Sequence, residues 1–456
     1  MAVTMPGELT ISLSTEELSS GSPKERATFG LFSMTANERL LTAGQDSESD
    51  ELRHGPHVAG YPLAEWLAWN WWKLRWELGR PSGQDARRRW DFAHRMATVG
   101  AGYAWPNIMI FSDGLRSFLE SEPSRSPDAV LFRYIGAQRR EAVSTEEMES
   151  TVDGFIEGML ARLNDQGIHC TNLHRLWNDL ANERKDPEVA RFRRLEAQLG
   201  HDPDDVDEDA VNHHLRDAVI LGEGALGKIA GDAALHGGRD DRMLFASEIS
   251  DIALRRGFDG NMNDTVRLAD ETILPQPGAV RAWRVGESAA LSLRDQLDLN
   301  GEQVSDRKLS ELAGTTTDVI SDTHRRSDAM SFLFDRQGDS ARVVLRSKWE
   351  TGRRFELARL LGDRVVGSKM SYAGECLLPA TRTYSYRQKV QRAFAAEFLG
   401  PFAEVDEMLN GDYSEEAQND VAEYFRVSPM TIRTQLVNRG RIELEDAPDI
   451  AGRGSD

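Results

Sequence analysis

The hydrophobic pattern changes character along the chain. LTISLS (9–14) alternates apolar and polar residues, the period of a half-buried strand. TFGLFSM (28–34) and ERLLTAG (38–44) flank the turn-like stretch Thr35–Asn37 and predict a hairpin. QDSESDE (45–51) reads as a polar loop. NIMIFSDG (107–114) and AVLFRYI (129–135) read as further strands, with a short helix over 85–98. Residues 144–235 read as helical. Ser144 with Glu147 has the spacing of a capping box, Asp186-Pro187 starts another helix, and Gly200 ends it. Residues 236–280 are turn-rich, with Gly237-Gly238 and the Pro275/Pro277 pair. From 281 the pattern predicts helices near 286–297, 305–313, 351–366 and 385–399, a strand within 341–347, and two short helices within 414–439.

YPLAEWLAWNWWKLRWELGR (61–80) is the most unusual segment and holds five of the ten tryptophans. On a helix, Leu63, Trp66, Leu67, Trp71 and Leu74 share one face, and Trp69, Trp72 and Trp76 form a second stripe. A helix apolar on two sides is expected between two packed layers. The alternative is that the second stripe is a protein interface, where tryptophan is enriched.

Composition then narrows the function. With 456 residues the chain is long enough for several domains, and 40% hydrophobic residues can build their cores. Lys plus Arg number 55 against 75 Asp plus Glu, a formal charge of -20, which argues against general binding of phosphate backbones. Two cysteines, Cys170 and Cys376, give no disulfide framework and no zinc ribbon, so a reducing cytoplasm is expected. The first residues lack the pattern of a signal peptide, and no apolar run approaches the ~20 residues of a membrane helix.

Other chemistry is thin. Cys170 and His174 would share a helical face at i, i+4, with His169 adjacent. A metal site there competes with an ordinary cysteine and a surface histidine. His54 with His57, and His213 with His214, have poor ligand spacing. GEGALGK (222–228) matches part of a phosphate loop through Gly222, Gly227 and Lys228, but Ile229 stands where a hydroxyl should hold magnesium, and the stretch lies in helical pattern. HDPDDVDEDA (201–210) reads as a solvated linker and helix start.

Three blocks in the last third carry a resemblance. WETGRRFELARLLGDRVV (349–366), YRQKVQRAFAAEFLGPFAEVDEML (386–409) and YSEEAQNDVAEYFRVSPMTIRTQLVNRGRI (413–442) resemble, in type and order, the ImmA/IrrE-type metallopeptidases, a zincin-like family of bacteria and their mobile elements. There a helix reads roughly RRFTLAHELGH, a later one ExxANxFAAELLMP, and a helix pair LAxxFxVSxxAxxxRLxxLGLI. VGESAALSLRDQLDLNGEQVSDRKLSELAG (285–314) looks like the segment leading into such domains, and the resemblance covers about 280–442, over a third of the chain. RRLEAQLGHDPDD (193–205) looks like a linker helix of some relatives.

The resemblance implies a zinc site made by two histidines at i, i+4, a glutamate base and a later carboxylate. Those four positions fall on Arg359, Leu360, Asp363 and Gln388. Arginine offers no lone pair and leucine moves no proton. No HExxH occurs anywhere in the chain. Arg359 and Asp363, one helical turn apart, are expected to pair in place of the metal.

The expected fold is α+β and multidomain. An N-terminal α+β domain (1–143) holds a β-rich unit with the Trp-rich helix, followed by a helical linker region (144–235) and a turn-rich boundary (236–280). A zincin-like pseudopeptidase domain (281–412) and a helix-turn-helix-like tail (413–445) complete it. The expected function is non-catalytic: a regulatory or defence-type cytoplasmic protein that binds a protein partner, with Trp69, Trp72 and Trp76 as candidate contacts and no metal or cofactor. One alternative is a metallopeptidase with an atypical metal site acting on a regulator protein. Another is a DNA-binding regulator, with Thr431, Arg433 and Gln435 facing the duplex. Against the latter, residues 393–425 carry nine acids and no Lys or Arg. Oligomeric state stays open.

Overall fold

The structure, a computed structural model, describes residues 8–124, 131–236, 243–261, 265–335, 341–370 and 375–443. It is α+β, with small antiparallel sheets and a majority of helix. The chain divides into two compact units, residues 1–212 with 233–241, and residues 213–232 with 242–456.

In the first unit, β1 (Leu9–Thr15) pairs antiparallel with β2 (Phe29–Ala36) across the short α1 (Pro23–Ala27). The expected hairpin forms: β2 turns into β3 (Arg39–Leu40), with Asn37 and Glu38 both at positive φ, the backbone of a tight primed turn. Two short strands, β4 (Gly44–Asp46) and β5 (Leu52–Arg53), flank the polar loop, and β6 (His57–Ala59) returns to pair with β2. The Trp-rich segment is helix α2 (Gly60–Trp76), followed by α3 (Gln84–His94). A second sheet orders β7 (Ile108–Ser112), β8 (Arg116–Ser121) and β10 (Arg139–Ser144), while β9 (Phe132–Tyr134) pairs with β4.

Helices α4 (Thr145–Asp165), α5 (Asn172–Lys185) and α6 (Pro187–Gln198) follow. Ser144 caps α4 by accepting from the Glu147 amide, and Asp186 caps α6 ahead of Pro187. These helices are not a linker. Residues from β1, β2, α2, α4, α5 and α6 share one apolar cluster, because each helix has an apolar stripe that must be covered. The stretch expected as a linker instead belongs partly to the first core, then passes through α7 (Glu208–Leu221) and α8 (Glu223–His236), within which the chain crosses between the units.

The second unit holds α9 (Ala246–Arg256) and β11 (Phe258–Gly260), so the expected turn-rich boundary contains a helix and a strand; Gly237-Gly238 lies outside the described residues. Next come α10 (Ala282–Gln296), α11 (Asp306–Leu312), α12 (Asp318–Ser321), β12 (Ser331–Phe334), β13 (Ala341–Val344), α13 (Glu350–Gly367), β14 (Leu377–Ala380) and α14 (Tyr386–Leu399). The helices α15 (Phe402–Leu409), α16 (Glu415–Phe425) and α17 (Pro429–Asn438) end the unit. The sheet order is β11-β13-β12-β14, all antiparallel, with β14 on an edge. Helix α14 packs against both α10 and α13. Two glycines permit this closeness. A Cβ on Gly286 would lie 2.4 Å from the Val390 carbonyl, and one on Gly362 would lie 2.5 Å from the Phe394 ring. Arg353 and Arg354, both fully buried, fasten α13: Arg353 donates to the Val319, Ser347 and Arg325 carbonyls, Arg354 to those of Val304 and Arg426 and to Asp306.

Candidate functional site

Helix α13 presents Arg359 and Asp363 on the side facing α14 and the end of β14. Both are buried, at 7% and 1% exposure, and Leu360 lies in the apolar core. The expected ion pair between Arg359 and Asp363 does not form. Arg359 turns to the strand end and α14, where Nη2 donates to the Thr381 carbonyl at 2.8 Å and to the Gln388 and Gln391 side-chain oxygens. Asp363 turns to other cations. Arg387 grips it as a two-pronged fork, Nε–Oδ1 2.6 Å and Nη2–Oδ2 2.8 Å, and the Lys228 ammonium of α8 lies 3.5 Å from Oδ2. The reason is geometric. An i, i+4 pair on one helix competes poorly with a fork delivered from the facing helix, because the planar guanidinium meets both carboxylate oxygens at once.

The network continues outward. Arg387 Nη1 donates to Glu375 at 2.5 Å, and the Glu375 side chain lies against Gly222 and Gly224 at the start of α8, where a Cβ on Gly224 would collide with it at 2.3 Å. Gln388 is fully engaged: Oε1 accepts from Arg359 and from the Thr381 amide, and Nε2 donates to the Pro379 carbonyl at 2.9 Å. Asp232 of α8 accepts from the Arg382 amide at 2.7 Å.

Burial and charge set the protonation. For Asp363, burial works to raise the pKa, but Arg387 and Lys228 outweigh it and hold the carboxyl at about 2. For Lys228, burial outweighs the attraction of Asp363, and Arg387 adds repulsion, so its pKa falls to about 7. Burial likewise lowers Arg359 to about 9, which leaves it protonated at neutral pH.

These residues do not fit a zinc ion. The carboxylate oxygens of Asp363 and the amide oxygen of Gln388 are committed within the chain, and Arg359 and Leu360 supply no lone pair. Among the described residues no three His, Cys, Asp or Glu side chains gather where they could hold a metal. Cys170 and His174 do not share a helical face. Cys170 sits exposed at φ 59° before α5, and His174 Nδ1 meets the Thr171 N-cap instead. GEGALGK is no phosphate loop, since Lys228 lies inside α8 with its ammonium buried against Asp363. His57 pairs with Glu16 and Arg53, and His213 and His214 pack on Phe245. The acids of 201–210 lie at the surface ahead of and at the start of α7, where Asp202 meets Lys73 and Asp204 meets Arg193.

The tryptophan stripe is not one surface. Trp69 is 52% exposed, whereas Trp72 is 5% exposed and donates to Glu183 of α5 at 2.7 Å. Trp76 is partly buried, with the guanidinium groups of Arg75 and Arg194 over its ring. Helices α5 and α6 cover most of the second stripe, which the helix periodicity alone could not reveal. In the tail, Ser428 caps α17 and shares a hydroxyl contact with Thr431. Arg433 lies 3.9 Å from Glu415, and Gln435 is buried, donating to the Gly400 carbonyl at 2.9 Å. The three candidate duplex contacts therefore do not form one free polar face.

Sequence reasoning missed Glu375, Arg387 and Gln391, and read Lys228 only as part of an incomplete phosphate loop. Arg387 and Gln391 had a visible signal, since they flank Gln388 on the same helix. Nothing in the sequence marked the link of Lys228 to Asp363, 135 positions away, or the contact of Glu375 with Arg387.

The fold and site define a helix-rich α+β protein whose second unit is organised around a buried carboxylate held by two cationic side chains. Comparison with family models, curated proteins and solved structures gives no match. No helix among the described residues is long and apolar enough to cross a membrane.

Proposed function

We propose that this chain is a non-catalytic, ImmA/IrrE-like regulatory or defence protein of the bacterial cytoplasm. Its zincin-like second unit is a pseudopeptidase that binds a protein partner rather than cutting one. One observation supports the reading above others: the atoms that would hold zinc and activate water are replaced or tied up by Arg359, Arg387 and Lys228. Without a metal-bound water of lowered pKa these positions lack the nucleophile that a zincin uses. In the first unit, Trp69 is the member of the tryptophan stripe left open to a partner.

The test is metal content together with cleavage. Purified full-length protein is expected to hold far less than one equivalent of zinc or manganese and to leave casein intact. Stoichiometric metal, or casein cleavage that disappears in Asp363→Asn, overturns the reading.

A further inference from the structure

We infer that α8 is an in-built occupant of the cleft in which the resembled peptidases keep their metal, with Lys228 and Arg387 standing where a divalent cation would. This rests on the pseudopeptidase reading and adds what fills the vacated site and which segment brings it.

Three contacts carry the inference. The Lys228 ammonium reaches the position aligned with the second metal ligand, 3.5 Å from Asp363 Oδ2. Arg387 closes the same carboxylate from the other side with its fork. Asp232, one turn further along α8, takes the Arg382 amide just beyond the edge strand β14. The segment is also shaped for the place: Gly222 and Gly224 leave the room that the Glu375 side chain occupies. Glu375 in turn holds Arg387, so its anion, Asp363 and the two cations form one closed group. A zinc ion brought near would have to displace Arg387 and Lys228 from the carboxylate they hold, in a region of low dielectric where charges are poorly screened.

The physical consequence is that the four substitutions in the motif are only half of the change. Returning Arg359→His, Leu360→Glu, Asp363→His and Gln388→Glu restores ligands but leaves both cations in place. The experiment compares that fourfold variant with one that also carries Lys228→Ala and Arg387→Ala. Zinc affinity is read by competition with a chromogenic chelator, and folding by circular dichroism. The sixfold variant is expected to bind one zinc at least ~10-fold more tightly than the fourfold variant. Equal affinity overturns the inference while leaving the pseudopeptidase reading intact. Zinc taken up by neither folded variant overturns the placement of the motif and the inference with it.

Should the multiple variants fail to fold, Asp363→Asn in the full chain decides the matter by hydrogen exchange. The amides of α8 are expected to exchange at least ~10-fold faster than in the parent, while those of α10 do not change. Unaltered protection of α8 overturns the inference.

Discussion

Lys228→Met is the sharpest probe of the buried network. The substitution removes the ammonium and keeps most of the apolar stem, so Asp363 retains the Arg387 fork. The fall of the Lys228 pKa from 10.5 to about 7 corresponds to about 5 kcal/mol between its protonation states. The sign follows from proton counts. Below pH 7 the folded and unfolded chains both carry the proton, and the cost of burying it is constant. Between pH 7 and 10.5 the unfolded chain binds more protons, so this group makes stability rise with pH by about 1.4 kcal/mol per pH unit. Above 10.5 the contribution is flat. Guanidinium unfolding of the parent and of Lys228→Met, at pH 6 and pH 9, isolates the group, because other titrations cancel in the difference. Relative to the variant, the parent is expected to gain about 2–3 kcal/mol between the two pH values. A difference that stays constant, or shrinks with rising pH, refutes the placement of a buried ammonium beside Asp363.

Other substitutions test separate parts of the structure. Trp69→Ala should shift stability by less than about 0.5 kcal/mol, since the ring is half exposed, whereas Trp72→Ala should cost about 3–5 kcal/mol; paired thermal melts separate the two. Burial pushes the Glu397 carboxyl up to about 7, Glu287 adds to the rise, and the Phe402 amide opposes it. The folded state therefore binds more protons between pH 4.5 and 7, and this group makes stability fall as pH rises through that window. Glu397→Gln should flatten the fall, and an unchanged pH profile would contradict it. Duplex binding measured by fluorescence anisotropy at low salt should be undetectable; salt-dependent binding abolished by Arg433→Ala would show that α17 reads DNA after all.

The local elements were legible because their signals are local. The alternation of Leu9, Ile11 and Leu13 marks β1, and Asn37 at positive φ suits the hairpin turn. Ser144 and Asp186 announce helix starts through their own side chains. The residue types at the positions the resemblance singles out were legible too: Arg359 offers no lone pair to a metal and Leu360 moves no proton in any fold. The strands β12 and β14 gave little warning. Each has four residues, all buried, and so lacks the alternation that betrays a half-exposed strand.

Only the tertiary structure decided who pairs with whom. Spacing along α13 favoured Arg359 with Asp363, yet Arg387 from the facing helix and Lys228 from a segment 135 positions earlier hold the carboxylate. The tryptophan stripe was visible as a stripe, but its division into a covered Trp72 and an open Trp69 depends on where α5 lies. The cause is the same in both cases. Periodicity fixes which residues share a face of one element, and the neighbour across that face is chosen by packing between distant segments. Sequence alone thus determined the element pattern and the residue types along α13 and α14, and the packed fold determined which charges meet at Asp363.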